Sequence, residues 1–258
     1  MEKIVLTKII SISNQKGGVG KTTTAASLSA GLFALGQKVL SIDLDPQGDL
    51  GFCLGLESDS PVTLYDVLTK KCPAQSAIQS TEYGDVIPSD ISLESVVVEF
   101  AKGGCEAYLK EVLGPVIDSY DYIIIDTPPA LNILTVNCYV ASDYIIIPML
   151  AEILSLSGVI KIRETIQAVQ ESFNPRLKVL GILMTRNITR LNLSKEVEEM
   201  ASDLSALFNT RIFTTRIRNG VSTAECPAHG KPVQFYAPRS NPGKDYTAFV
   251  QEVFTILK

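Results

Sequence analysis

Residues 9–35 read IISISNQKGGVGKTTTAASLSAGLFAL, and this stretch decides the fold. A β-branched run, Ile9–Ser13, leads through a glycine-rich loop into a helix-forming segment, the strand–loop–helix context of a phosphate cradle. Glycines let backbone N–H groups converge on phosphate oxygens, and the helix N-terminus adds its partial positive charge. Lys21 then reaches the β- and γ-phosphates, and the Thr22 hydroxyl can ligate Mg²⁺. The candidate nucleotide loop is therefore Lys16, Gly17, Gly18, Val19, Gly20, Lys21, Thr22 and Thr23. Measured against the common template G-x-x-x-x-G-K-[ST], the loop departs at one position. Gln15 stands where the first glycine belongs, and a second lysine, Lys16, follows it.

Working outward, apolar β-branched runs alternate with helix-period segments, which predicts βαβ units. The expected fold is α/β: a doubly wound, mostly parallel sheet flanked by helices on both faces, in one domain over residues 1–258. Strands are expected near Ile9–Ser13, Val39–Asp43, Gly84–Ile87, Tyr122–Asp126, Tyr144–Pro148, Val179–Thr185 and Arg211–Thr214. Helices fit Lys21–Leu35, Leu109–Asp118, Ile133–Ala141, Ser157–Ser172, Ser194–Phe208 and Asp245–Leu257, with a short one near Val62–Val67. Loops are expected at Asp45–Leu56, Thr127–Asn132 and Gly220–Lys244. Parallel sheets bind ligands at the carboxyl ends of their strands, so chemistry is sought there.

Two further strand ends carry acids. KVLSID runs into Asp43-Leu44-Asp45-Pro46-Gln47-Gly48-Asp49, where Asp45 is placed to orient or polarise an attacking water and Asp43 to help order a Mg²⁺ shell. YIIID ends in Asp126, followed by Thr127-Pro128-Pro129. With the first motif it reads as an acid bonded to Mg²⁺-bound water, and Thr127–Leu131 as a loop able to sense the γ-phosphate.

Composition narrows the class. The chain has 258 residues, 46% of them hydrophobic, so it can bury a substantial core. Its apolar runs are far shorter than the ~20 residues that span a bilayer, and the N-terminal sequence lacks the pattern of a secretory signal. The five cysteines are odd in number and never spaced as Cys-x-x-Cys, which argues for reduced, structural thiols in a cytoplasmic setting. The net charge of −5 conceals an asymmetry: residues 1–175 sum to −10 and residues 176–258 to +5. Seven of the eight arginines lie in the second part. A charge run is usually a solvated face, so this one needs support from elsewhere to become a binding surface.

KGGVGKTT resembles the deviant Walker A motif, KGGxGKT[TS], of the ParA/MinD/nitrogenase-iron-protein superfamily. With DLDPQGD, IIIDTPP, GILMTR, AECPAHGKPV and PRSNPGKDY, the chain resembles a ParA/Soj-type partition ATPase over essentially its whole length, and the DPQG and HGKP segments favour ParA over its cousins. The resemblance implies ATP and Mg²⁺ as ligands and slow ATP hydrolysis stimulated by a ParB-like centromere-binding partner. It also implies a homodimer that forms on ATP binding and binds double-stranded DNA without sequence preference. Lys16 would cross the dimer interface to the partner's nucleotide, and Lys16, Lys21 and Asp45 would serve hydrolysis. Localisation would be cytoplasmic and nucleoid-associated.

The same resemblance places a DNA-contacting arginine at Arg190. A second is missing if no gap is placed, because relatives carry a segment like IPRNVRLSEAP where this chain reads IRNGVSTAECP, Ile217–Pro227, with Ser222 at the arginine position. DNA binding would then be weaker or fall to Arg216, Arg218, Arg239 and Lys244, while Arg218 and Asn219 could contact the nucleotide. Only eight residues precede the first expected strand, so an operator-reading domain is not expected in this chain.

Other classes share parts of the pattern. A MinD-like ATPase acting on a membrane or protein cargo would keep every nucleotide motif but add a basic amphipathic terminal helix. The segment DYTAFVQEVFTILK instead reads as core-packing through Phe249, Val253, Phe254 and Leu257. An iron–sulfur protein would need interface cysteines, for which Cys105 and Cys138 are the only pair to consider. A non-catalytic nucleotide switch is the third class. His229, the only histidine, reads as structural.

Overall fold

The computed structural model of the chain describes residues 6–56, 61–101, 103–150, 156–186 and 202–258. Seven strands form one sheet in the order β3-β4-β2-β5-β1-β6-β7: β1 Lys8–Ile12, β2 Val39–Asp43, β3 Gln79–Thr81, β4 Gly84–Ile87, β5 Tyr122–Asp126, β6 Tyr144–Leu150 and β7 Lys178–Thr185. All pairs are parallel except β3–β4. The helices are α1 Lys21–Ala34, α2 Asp49–Cys53, α3 Leu64–Leu68, α4 Leu93–Phe100, α5 Tyr108–Ile117, α6 Ile133–Ala141 and α7 Leu156–Ser172. Then follow α8, helical over residues 202–207, α9 Ser222–Glu225, α10 Val233–Tyr236 and α11 Asn241–Leu257.

The strands are apolar on both faces because each face is covered. Ile123 and Ile125 point into a core shared with α3 to α7, while Tyr122 and Ile124 point into a second core with α1 and α11. Two-sided burial selects continuous Ile/Val/Leu runs rather than alternation. Gly31 of α1 faces α11, where a Cβ would lie 2.4 Å from Val250 Cγ2, so the two helices approach at glycine distance. The core-facing side of α11 is Phe249, Val253 and Leu257, all buried, with Phe254 half-buried. Among the described residues, no helix is long and apolar enough to cross a membrane.

The strand and helix expectations hold for β1, β2, β4, β5, β6, β7, α1, α5, α6, α7 and α11, with ends shifted by a few residues. Four differ. Arg211–Thr214 forms one bridge, Ile182 to Ile212, and no strand. The Glu252 carboxylate accepts the Thr214 and Thr215 N–H groups at 2.7 and 2.9 Å, so those donors leave the sheet. The Asp45–Leu56 loop holds α2, and Gly220–Lys244 holds α9, α10 and the first turn of α11. α4 and the hairpin strand β3 were not expected. α4 carries a Val-Val-Val run that reads as strand locally, yet Leu93, Val96 and Phe100 fall on one buried helical face. β3 is three polar residues, too short for a period. Most of Ser194–Phe208 lies outside the described residues; α8 is its described end.

Candidate nucleotide site

β1 lies between β5 and β6, and the chain leaves β1 for β2 on one side but reaches β6 on the other. This reversal opens a crevice at the carboxyl ends of the strands, and the loop 13–20 sits in it. Gly18 and Gly20 have φ of 73° and 88°, which side chains disfavour, and Gly20 precedes α1 directly. The loop is pinned from several sides. Asn14 accepts the Lys16 N–H at 3.0 Å and donates to the Pro148 carbonyl at 2.7 Å. Thr185, at the end of β7, donates to the Val19 carbonyl at 2.9 Å. The Tyr246 hydroxyl pairs with that of Thr24 at 3.1 Å, joining α11 to the first turn of α1.

Lys21 opens α1 and is buried; its Nζ lies 3.5 Å from the Lys16 carbonyl. Burial lowers its pKa, opposed by the negative charges of Asp126 and Asp45. The two strand-end acids sit side by side, because β2 and β5 pair Asp43 with Asp126. Both are fully buried. Asp43 accepts the Asp45 N–H at 3.1 Å and the Leu50 N–H at 2.9 Å, so it organises the 43–50 loop as well as facing the site. Asp45 is half-buried and its Oδ1 accepts the Gln47 N–H at 3.1 Å. Burial and then the neighbouring Asp126 charge push the Asp43 carboxyl well above the usual carboxylate range.

Asp126 is the outlier. Both its carboxylate oxygens are buried and neither has a hydrogen-bond partner of good geometry. Burial raises its pKa; the Thr22 hydroxyl and the Lys21 ammonium pull it down, while Asp45 and Asp49 push it up. An orphaned, buried carboxylate is costly, and a divalent cation with its water shell satisfies it. Thr22, half-buried at the start of α1, supplies an oxygen ligand of the kind Mg²⁺ takes. These residues fit Mg²⁺. A carboxyl whose folded pKa is raised burdens the fold only when ionised, so the burden is absent in acid and grows as pH rises above the ordinary carboxylate range. Asp126→Asn is therefore expected to raise the ligand-free melting temperature by several degrees at pH 8, about 1–3 kcal/mol, with the gain fading toward pH 4. The same variant should lose the Mg²⁺-dependent part of nucleotide stabilisation. A melting temperature lowered at pH 8 would contradict the assignment.

The remaining candidates are distributed as follows. Thr23, Arg218 and Asn219 line a cleft of about 80 Å³ beside Gly20, with Arg186 and Tyr246. Arg218 is committed: its guanidinium binds Asp245 at 2.6 Å and 2.9 Å, and its backbone N–H donates to the same carboxylate. The Arg218 charge expected to contact DNA or nucleotide is thus already balanced by Asp245 in this structure. Arg216, Arg239 and Lys244 are exposed. Arg190 lies outside the described residues. Cys138 is in the core, its thiol pushed up to about 12 by burial, and Cys105 is half-buried beside α5. The His229 ring stacks on Tyr236 at 4.7 Å.

Sequence reasoning missed the roles of Asn14, Thr185, Tyr246 and Asp245, which hold the loop and cleft. It also missed why DPQG and HGKP occur together: Gly230 packs against Gly55 so closely that a Cβ there would lie 3.1 Å from the Gly55 Cα. The HGKP turn thus buttresses α2, the helix that follows the Asp45 loop.

Comparison with known proteins agrees with this geometry. A family model described as an AAA domain matches residues 7–179. The sporulation initiation inhibitor protein Soj of Bacillus subtilis is 40% identical over 95% of this chain and 98% of its own. Cobyrinic acid a,c-diamide synthase of Mycobacterium smegmatis, solved with an ATP analogue and magnesium, is 32% identical with a TM-score of 0.82, over 96% of this chain and 95% of its own. The septum site-determining protein MinD of Pyrococcus horikoshii, complexed with Mg-ADP, is 26% identical with a TM-score of 0.77, over 96% of each chain. By its phosphate loop, its paired strand-end acids and its full-length likeness to Soj, the chain belongs to the Soj/ParA family of chromosome-partitioning ATPases.

Proposed function

We propose that this chain, acting as a single domain, is an ATP-gated partition switch. ATP occupies the 16–23 loop, with Lys21 on its phosphates and Thr22, Asp43 and Asp126 around Mg²⁺. When bound, Mg²⁺ neutralises developing charge on the phosphates. Lys16 reaches across to the nucleotide of a second copy, so binding of ATP drives homodimerisation. Asp45 orients the attacking water, and a ParB-like centromere-binding protein accelerates an otherwise slow hydrolysis. The protein is cytoplasmic and associates with the nucleoid, segregating chromosome or plasmid DNA.

The observation that carries the reading is the fully buried Asp126, whose oxygens have no hydrogen-bond partner of good geometry, beside Lys21 and Thr22 at the start of α1. DNA contact falls to Arg216, Arg239 and Lys244, with Arg190, and a dimer doubles the patch. Such binding is independent of sequence and weakens steeply with salt. Arg218 contributes by holding the 217–219 segment, and Asn219 contacts the base. A membrane cargo is not favoured, because the apolar side of α11 faces the core.

Lys16→Ala separates the steps. Its ATP affinity should stay within about threefold of the parent, since cis phosphate contact rests on Lys21 and the backbone. Size-exclusion chromatography with a slowly hydrolysed ATP analogue should show a monomer where the parent shows a dimer. Pull-down on duplex DNA should then be lost at both low and moderate salt. A Lys16→Ala protein that dimerises and binds DNA like the parent would overturn the trans role.

A further inference from the structure

A groove of about 1110 Å³ lies at the other end of the sheet, between α7, the start of β7, the segment after α8 and the end of α11. Its floor includes Leu180, buried, and Leu207, Ile212 and Ile256, half-buried. Its rim carries the exposed cations Arg163, Lys178 and Arg211. Among the described residues, none of these three side chains has an ion-pair partner. Among the described residues Glu252 is the only acid in the lining, and both its oxygens are taken by the Thr214 and Thr215 N–H groups. The groove therefore presents an apolar floor under a net positive rim.

Its position sets it apart from the nucleotide. β7 spans eight residues from Lys178, at the groove, to Thr185, at the phosphate loop, roughly 25 Å at ~3.3 Å per residue. α11 likewise runs from Tyr246 beside the loop to Ile256 and Leu257 in the groove, roughly 15 Å at ~1.5 Å per residue. The groove is thus not part of the nucleotide crevice, nor of the face on which Lys16 would meet a second copy.

We propose that this groove docks an acidic amphipathic segment of a partner protein, with apolar side chains on the floor and carboxylates at Arg163, Lys178 and Arg211. Duplex DNA matches the charge but has no apolar side chains for the floor, whereas an acidic helix with apolar residues at i, i+3 and i+4 meets both. Interfaces of this kind combine a desolvated apolar centre with a charged rim that steers approach. Because the groove lies outside the nucleotide site, docking proceeds with or without ATP.

The test uses fluorescein-labelled synthetic peptides and full-length protein. One peptide has leucines at helical spacing among glutamates; a second replaces the leucines by serine; a third replaces the glutamates by lysine. Fluorescence anisotropy should show saturable binding of the first, at least tenfold weaker binding of the second and none of the third, in the presence or absence of ATP. The triple variant Arg163→Glu, Lys178→Glu, Arg211→Glu should weaken the first peptide at least tenfold while keeping the parental ATP-induced thermal shift, since all three side chains are exposed. Absence of saturable binding, or equal binding by the triple variant, overturns the proposal. So does displacement of the peptide by duplex DNA with a matching loss of DNA affinity in the triple variant, which would make the groove part of the nucleic-acid surface. A loss of ATP-driven dimerisation in Lys16→Ala leaves this outcome unaffected, so the two readings fail separately.

Discussion

Lys21→Ala should lower the affinity for Mg·ATP by about 100-fold, because in the proposed reading this buried ammonium contacts the phosphates. Truncating one partner of a buried charge pair costs about 2–5 kcal/mol, roughly 30-fold to several thousandfold. In the ligand-free protein the same side chain is poorly solvated: burial lowers its pKa, and only Asp126 and Asp45 oppose that shift. The fold itself should therefore tolerate the change. A parental protein with ATP at 100 times its dissociation constant gains about 2.7 kcal/mol, a thermal shift of several degrees. Lys21→Ala should show almost none at that concentration, and its dimerisation and DNA retention should fail with it. A normal shift would mean that the 16–23 loop does not hold the phosphates.

Asp45→Ala should have the opposite signature: ATP binds, the dimer accumulates on DNA, and turnover falls by about 10²–10⁴, the usual contribution of a positioned proton acceptor. Asp45 has a second task, since its Oδ1 accepts the Gln47 N–H and shapes the DPQG turn. Asp45→Asn keeps that acceptor and removes the charge. Single-turnover hydrolysis of both variants distinguishes the tasks. If both lose the rate, the carboxylate acts on water; if Asp45→Asn hydrolyses at the parental rate, Asp45 is a turn residue and the catalytic assignment falls.

Much of the site was legible because its parts are local. The cradle needs only glycines at Gly18 and Gly20 and a lysine at the first helical position, all within a few residues. Asp43 and Asp126 were visible as acids at the ends of apolar strands. Their adjacency follows once the strands are parallel, because β2 and β5 pair residue by residue. The Arg211–Thr214 strand failed for a nonlocal reason: a carboxylate from α11 captures two N–H groups that a ladder would need. α4 failed because three valines in a row carry strand propensity that tertiary burial of Leu93, Val96 and Phe100 overrides.

Arg218 shows the limit most clearly. In sequence it is one of seven arginines in a basic tail; in the fold it is tied to Asp245, 27 residues away. Similarly, Thr24 and Tyr246 are 222 residues apart yet join the phosphate loop to α11.

The sequence by itself determined the fold class, the phosphate loop, the identity of its lysines and the acids facing it, because each is encoded by backbone geometry and period over a short span. Only the tertiary structure decided which acid is left without a partner, which arginine is already neutralised and where a basic-rimmed groove opens. Those properties depend on what lies across the fold, and no local pattern of residues records the distance between two side chains that the chain brings together from opposite ends.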